Sequence, residues 1–218
     1  MKRSFADVAS WLLILAGFAL AAAMYRVLPD PMPSHFGIDG SPDAHLPKVW
    51  GVFLMPLVML GVWLLLLVLP RISPRGFEME PFAATWKILR LAMLAFLLLV
   101  EVLVFDSART GRPLSNRVVI AAMGLLFVVI GNFLGKITRN FFAGIRTPWT
   151  LANEEVWYRT HRLAGKLFVA AGILIAVSGF VGLSFPVLVG AIGAATTIPI
   201  VYSYWIYRKI EGRSRTAP

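Results

Sequence analysis

The stretch Val49-Trp50-Gly51-Val52-Phe53-Leu54-Met55-Pro56-Leu57-Val58-Met59-Leu60-Gly61-Val62-Trp63-Leu64-Leu65-Leu66-Leu67-Val68-Leu69 holds no charged residue from end to end. A helix rising about 1.5 Å per residue needs roughly 20 apolar residues to cross a hydrocarbon core about 30 Å thick. The run is apolar on every side of a helical wheel, not on one stripe, which is the pattern of a helix surrounded by lipid or other helices. It predicts a membrane span bounded by Lys48 and by Pro70-Arg71.

Five further runs of this kind flank it: Phe5 to Leu28, Trp86 to Phe105, Val118 to Leu134, Leu163 to Leu183, and Val187 to Tyr207. The chain has 218 residues, 58% of them hydrophobic and 15% charged. Six spans and their connectors consume nearly all of it, leaving no room for a separate soluble domain. The expected fold class is all-α, a polytopic transmembrane helical bundle of six spans. Only Ser184-Phe185-Pro186 separates the last two, which predicts a helical hairpin with proline as the breaker. Lys2-Arg3 before an apolar run ending near Ala21-Ala22-Ala23 imitates a secretory signal, but the run continues to Leu28 and reads better as a span. Three segments follow: 1–70 with two spans and a long loop, 71–117 with the third span, and 118–218 with the last three.

Orientation comes from the cations, because cytoplasmic loops are enriched in Lys and Arg. Sixteen of the 21 fall on one side, at the N-terminus, around Arg71 to Arg90, along Lys136 to Lys166, and in the tail at Arg208, Lys209, Arg213 and Arg215. Arg26, Lys48, Arg109, Arg112 and Arg117 fall on the other. Both termini are therefore expected in the cytoplasm, with loop 29–48 outside and loop 136–162 inside. The net charge of +10 is accounted for by this topology, and no basic face interleaved with stacking aromatics points to nucleic acid.

Cysteine is absent, which excludes disulfides, a thiol nucleophile and thiolate metal sites. No His-Glu-x-x-His, Gly-x-Ser-x-Gly or phosphate-cradling Gly-rich motif occurs, so no enzyme activity and no cofactor are expected. In the first loop His35, Asp39, Asp43 and His45 are the right types to ligate a divalent metal. Their spacing fits no standard motif, however, and Asp and His in turns commonly bind backbone groups instead. The proline and glycine density of that loop implies a rigid, turn-rich, non-helical structure.

The inner loop has a legible helix start. Thr150 or Asn153 can cap a helix whose first turn carries Glu154 and Glu155, the charge its dipole favours. The helical pattern then runs unbroken into the fifth span. Phe141, Phe142, Trp149, Trp157 and Tyr158 interleave with Arg139, Arg146, Arg159 and Arg162, as suits a segment in the headgroup layer.

Three stretches of this region stand out: Gly131-Asn132-Phe133-Leu134-Gly135-Lys136, then Asn140-Phe141-Phe142-Ala143-Gly144-Ile145-Arg146-Thr147-Pro148-Trp149-Thr150-Leu151, then Trp157-Tyr158-Arg159-Thr160-His161-Arg162-Leu163-Ala164-Gly165. They resemble the SdpI family of bacterial membrane proteins. Pro33-Ser34-His35-Phe36 followed by Gly40-Ser41-Pro42-Asp43 is similar to a domain of unknown function that often precedes the SdpI segment. The resemblance implies a plasma-membrane protein of about six spans that gives immunity to a secreted antimicrobial peptide toxin and captures a transcriptional repressor at the membrane. The candidate partner- or ligand-binding residues are His35, Phe36, Asn132, Asn140, Arg146, Thr147, Pro148, Trp149, Trp157 and His161.

Each of these also has a plainer reading. Arg146 is a forked donor for a lipid headgroup, a cytoplasmic partner or a peptide, or else part of an interfacial anchor whose turn Pro148 sets. His161 shares a helix face with Trp157 and Gly165, as a proton-handling group or as a hydrogen-bonded interface residue. Glu101 is an ionisable group within a span, either functional or close enough to the outer end to reach water. Lys87 and Arg90 can snorkel inward. Gly131 and Gly135 form a small-xxx-small pair with Asn132 available to bond across helices. A small transporter or lipid-handling protein that used Glu101, Asn132 and His161 as polar steps through the bundle is the alternative reading.

Overall fold

The structure is a computed structural model and describes residues 4–182 and 185–214. Lys2, Arg3, Ser184 and Arg215, which enter the reading of the topology and of the last turn, lie outside the described residues. Helices form where the apolar runs end on caps or breakers: α1 (Phe5–Met24), α2 (Lys48–Val68), α3 (Ala83–Thr110), α4 (Asn116–Leu134), the short α5 (Pro148–Ala152), α6 (Glu154–Val181) and α7 (Phe185–Ser214). Six of them are long and apolar enough to cross a membrane. Outward-facing Leu12, Leu65, Leu125 and Val201 are exposed, as lipid-facing side chains are.

Two strands are the departure from an all-helical chain. β1 (Met32–Phe36) and β2 (Pro42–Leu46) form an antiparallel hairpin with Met32 opposite Leu46 and Phe36 opposite Pro42. A hairpin this small is marginal in water. Here it is held by Met32, which is fully buried and packs against Gly51 and with Ala21, Leu28, Val52 and Phe105 at the ends of α1, α2 and α3.

The helices pack in two groups. In the first, α1, α2 and α3 contact one another around Ile14, Met59, Trp63 and Leu94. Arg90 is tied into this group rather than snorkelling to water. It is 3% exposed, and its Nη2 donates to Asp7 Oδ1 at 2.6 Å, while Lys87 Nζ donates to Ser4 Oγ at 3.0 Å. An arginine this deep needs such a partner, because an unpaired charge is expensive to bury.

In the second group α4 lies against α6, and α7 packs on α6. Glycines set the α4–α6 approach: Gly124 and Gly131 on one helix, Gly165, Gly172 and Gly179 on the other, each seven residues from the next on its helix. A Cβ on Gly131 would lie 2.7 Å from the Val169 amide nitrogen and 2.8 Å from the Gly165 carbonyl. A Cβ on Gly172 would lie 2.7 Å from both Gly124 O and Val128 N. Backbone therefore meets backbone, the close approach that stabilises helix pairs where lipid removes any hydrophobic drive. Gly135 stands outside this seam, in ordinary contact with Arg162.

The groups join at both ends. Met79 and Phe82 insert among Leu134, Ile137 and Trp157 at one end. At the hairpin end the Leu114 amide donates to Gly40 O at 2.8 Å and Asn116 Nδ2 donates to Ile38 O.

Candidate functional site at the two ends of the bundle

At the hairpin end, the turn between β1 and β2 closes on Gly40, whose positive φ of 83° suits glycine. Asp39 Oδ1 accepts from the Ser41 amide at 3.0 Å, which holds the Asp39 carboxyl below the usual carboxylate range. His35 Nδ1 lies 2.6 Å from Asp43 Oδ1, both largely exposed. So the four outer-loop residues resolve into a turn bond and a two-residue pair. No three His, Asp or Glu side chains converge among the described residues. Phe36 is half-buried, and Ile38, at the tip, is 78% exposed. Beneath the tip an apolar cleft of about 210 Å³ opens between α4, α6 and α7, lined by Ile38, Val119, Met123, Ile175, Leu188 and Ile192.

At the opposite end, the loop between α4 and α6 is wired to itself and to the helices. Asn140 is fully buried with all its capacity used. Its Oδ1 accepts from the Phe142 and Ala143 amides at 2.9 and 2.7 Å, and its Nδ2 donates to the carbonyls of Thr138 and Ala143. Thr147 caps α5 by accepting from the Thr150 amide at 3.2 Å, with Pro148 in the first turn where its missing N–H costs nothing. Of the two caps the sequence allows for α6, Asn153 is the one used: its Oδ1 accepts from the amides of Glu155 and Val156. Thr150 is buried instead and donates to Ile145 O at 2.8 Å. Trp149 packs on Tyr204 of α7, ring centroids 5.0 Å apart, and the Thr147 hydroxyl meets Ser203 of α7 at 3.1 Å.

His161 is the centre of this assembly. It is 1% exposed, stacks on Trp157 at 4.0 Å between centroids, and donates from Nδ1 to the Trp157 carbonyl at 2.8 Å. Its Nε2 accepts the Ile145 amide at 2.9 Å. That geometry needs a residue without a side chain beside the ring, and Gly144, at φ 98°, supplies it. Trp157 in turn donates from Nε1 to Ile137 O at 2.8 Å. Arg146 is exposed, with Nη1 donating to Phe141 O at 2.8 Å and no carboxylate paired with it among the described residues.

Comparison with known proteins matches residues 136–203 to the SdpI/YfhL protein family and residues 12–60 to a domain of unknown function, DUF1648. The chain is 27% identical to Immunity protein SdpI of Bacillus subtilis (strain 168) over 209 residues, 94% of this chain and 98% of that protein. The likeness to that protein extends over nearly all of both chains. It also shares 35% identity over 49 residues with the uncharacterized membrane protein YbgB of the same organism, covering 22% of this chain and 54% of that one. No solved structure matches it.

The SdpI segment thus coincides with the wired loop, α6 and most of α7. Asn140, Thr147, Pro148, Trp149, Trp157 and His161 are brought together there, with Arg146 at the rim. Asn132 is not among them: it is exposed on the surface of α4, with no side-chain bond across helices among the described residues. Glu101 belongs to the other helix group. Rather than reaching water, it is fully buried, and neither carboxyl oxygen has a hydrogen-bond partner. Gly17 of α1 makes room for it, since a Cβ there would lie 2.9 Å from Oε2 and 3.3 Å from Met59 Sδ. Glu101, Asn132 and His161 therefore lie in three separate places: inside the first helix group, on the surface of α4, and against the wired loop.

An acid buried without partners is a cost to the fold, about 1–3 kcal/mol for each unsatisfied polar group. Glu101→Met, of similar length and apolar, is expected to stabilise the purified protein by about that amount, while Glu101→Gln, which keeps two unpaired polar atoms, changes little. Thermal denaturation in detergent checks this. A Glu101→Met protein that melts below the wild type would show that the carboxyl has a stabilising partner.

The residues that sequence reasoning did not single out are Ile38 at the hairpin tip, Asp7 as the partner of Arg90, and Gly124, Gly172 and Gly179 of the seam. The seam had a signal in the seven-residue spacing of its glycines. Ile38 had one only as an apolar residue in a Pro/Gly-rich turn.

Proposed function

We propose that this protein protects the membrane it sits in against a secreted antimicrobial peptide, with the hairpin end outside the cell and the wired loop and both termini in the cytoplasm of a bacterial plasma membrane. The observation that carries this reading is the likeness to Immunity protein SdpI over nearly the full length of both chains. The charge bias supports the orientation: the wired loop and its flanks hold Lys136, Arg139, Arg146, Arg159, Arg162 and Lys166. The peptide meets the hairpin around His35 and Phe36 and seats apolar side chains beside Ile38 in the cleft over α4, α6 and α7. An amphipathic peptide suits an exposed apolar tip next to an apolar groove. The wired loop then serves as the inner face on which a cytoplasmic regulator, a transcriptional repressor in the resemblance, is recruited.

Expression in a sensitive bacterial host, followed by challenge with secreted peptides from the producing strain and its neighbours, tests this. The expected result is survival that Ile38→Asp abolishes without lowering the amount of protein in the membrane. Equal killing with and without the protein by every peptide tried would refute the immunity reading. Cysteine-accessibility labelling at position 38 checks the orientation independently: labelling from outside intact cells is expected.

A further inference from the structure

A second cleft, of about 650 Å³, opens at the wired-loop end. Ile130 and Leu134 of α4, Phe168 of α6 and Ile200 of α7 form its walls, and Arg146 stands at its mouth. It runs along α7 from the level of Ser203, bonded to Thr147, up to Thr196, about 10 Å at the rise of a helix. That depth lies within the apolar part of the last span.

The hydroxyl deepest in the cleft has spent its proton. Thr196 Oγ1 donates back to its own helix, to Ile192 O at 2.9 Å. An occupant of the interior therefore finds few polar partners, the Thr196 oxygen being able only to accept. An extended peptide would bury most of its amides unpaired there. The mouth is the opposite: Arg146 gives one Nη1–H to Phe141 O and faces no carboxylate among the described residues, so the rest of its fork is open. A guanidinium with several free donors fits a phosphate oxygen pair.

We infer that this cleft is a binding site for an anionic phospholipid, one acyl chain lying along Ile130, Phe168 and Ile200 and the phosphate on Arg146. The apolar depth and the cation at its mouth match the two parts of that molecule and no purely polar or purely apolar one. The site goes beyond the immunity reading and does not rest on it, since it concerns a ligand already present in the bilayer.

The test measures thermal stability of the full-length protein in detergent with added phosphatidylglycerol, with phosphatidylcholine of the same chains, or with glycerol 3-phosphate, which has no chains. Native mass spectrometry counts the lipid retained. Phosphatidylglycerol well above its Kd is expected to raise the wild-type Tm by about 5 °C and phosphatidylcholine by much less, with no shift from glycerol 3-phosphate. Arg146→Gln removes the headgroup partner and Ile200→Trp fills the apolar depth, so each is expected to lose the shift and the bound lipid while keeping its lipid-free Tm within a few degrees. Equal shifts from the two lipids, a shift from the chainless phosphate, or a full shift in either variant would overturn the proposal. A lipid-binding response lost in Arg146→Gln but kept in Ile200→Trp would mean a surface phosphate contact without a chain site, and also overturns it.

Discussion

Gly131→Ala and Gly172→Ala are each expected to cost about 2–3 kcal/mol, although alanine is the better helix former. Intrinsic preference alone favours alanine by about 1 kcal/mol inside a helix. At these two positions the added methyl lands 2.7 Å from backbone atoms of the facing helix, closer than carbon and nitrogen can approach, and a main chain cannot rotate aside as a side chain can. The helices must separate, and the loss of contact runs along the seam. Gly61 on α2 is the control, because a Cβ there meets nothing within 4 Å. Gly61→Ala is expected to leave stability unchanged or raise it slightly. Thermal denaturation of the three variants in one detergent decides the matter. If all three behave alike, the α4–α6 approach is looser than described.

The second large effect is at His161. Truncation to alanine removes the acceptor for the buried Ile145 amide and the ring stacked on Trp157, and it leaves a hole under Gly144. An orphaned buried amide costs about 1–3 kcal/mol and the hole adds to it, so about 3 kcal/mol is expected in total. The loss is local before it is global, because Ile145 and Arg146 are held to the bundle through this ring. Trypsin should therefore cut at Arg146 several times faster in His161→Ala than in the wild type, at temperatures where both remain folded. An unchanged cleavage rate would mean that Asn140, Thr150 and Thr147 hold the loop without His161.

The sequence made the helices legible because each span is long and its ends carry local chemistry. α6 is the clearest case: Asn153 followed by Glu154 and Glu155 marks its start, and the structure caps it there. What stayed hidden depends on azimuth, on which side of a helix faces which neighbour. Glu101 could be placed in depth from its distance to the end of α3, yet its burial follows from Gly17 and Met59 on two other helices. The Asp7–Arg90 pair joins residues 83 apart in the chain, and no local pattern connects them. The hairpin was legible only as turn-rich, because its strands are five residues each, too short for alternation to show. Within the wired loop, types such as Asn140 and His161 stood out, but their roles came from backbone partners that sequence does not name.

The seam between α4 and α6 has a mechanical consequence. Two rods that touch through their main chains at glycines seven residues apart have one register in which they fit; a shift by a single residue would drive side chains into the facing backbone. Such a pair resists sliding and changes length very little. A disturbance at one membrane face would then reach the other as a tilt of the whole strut.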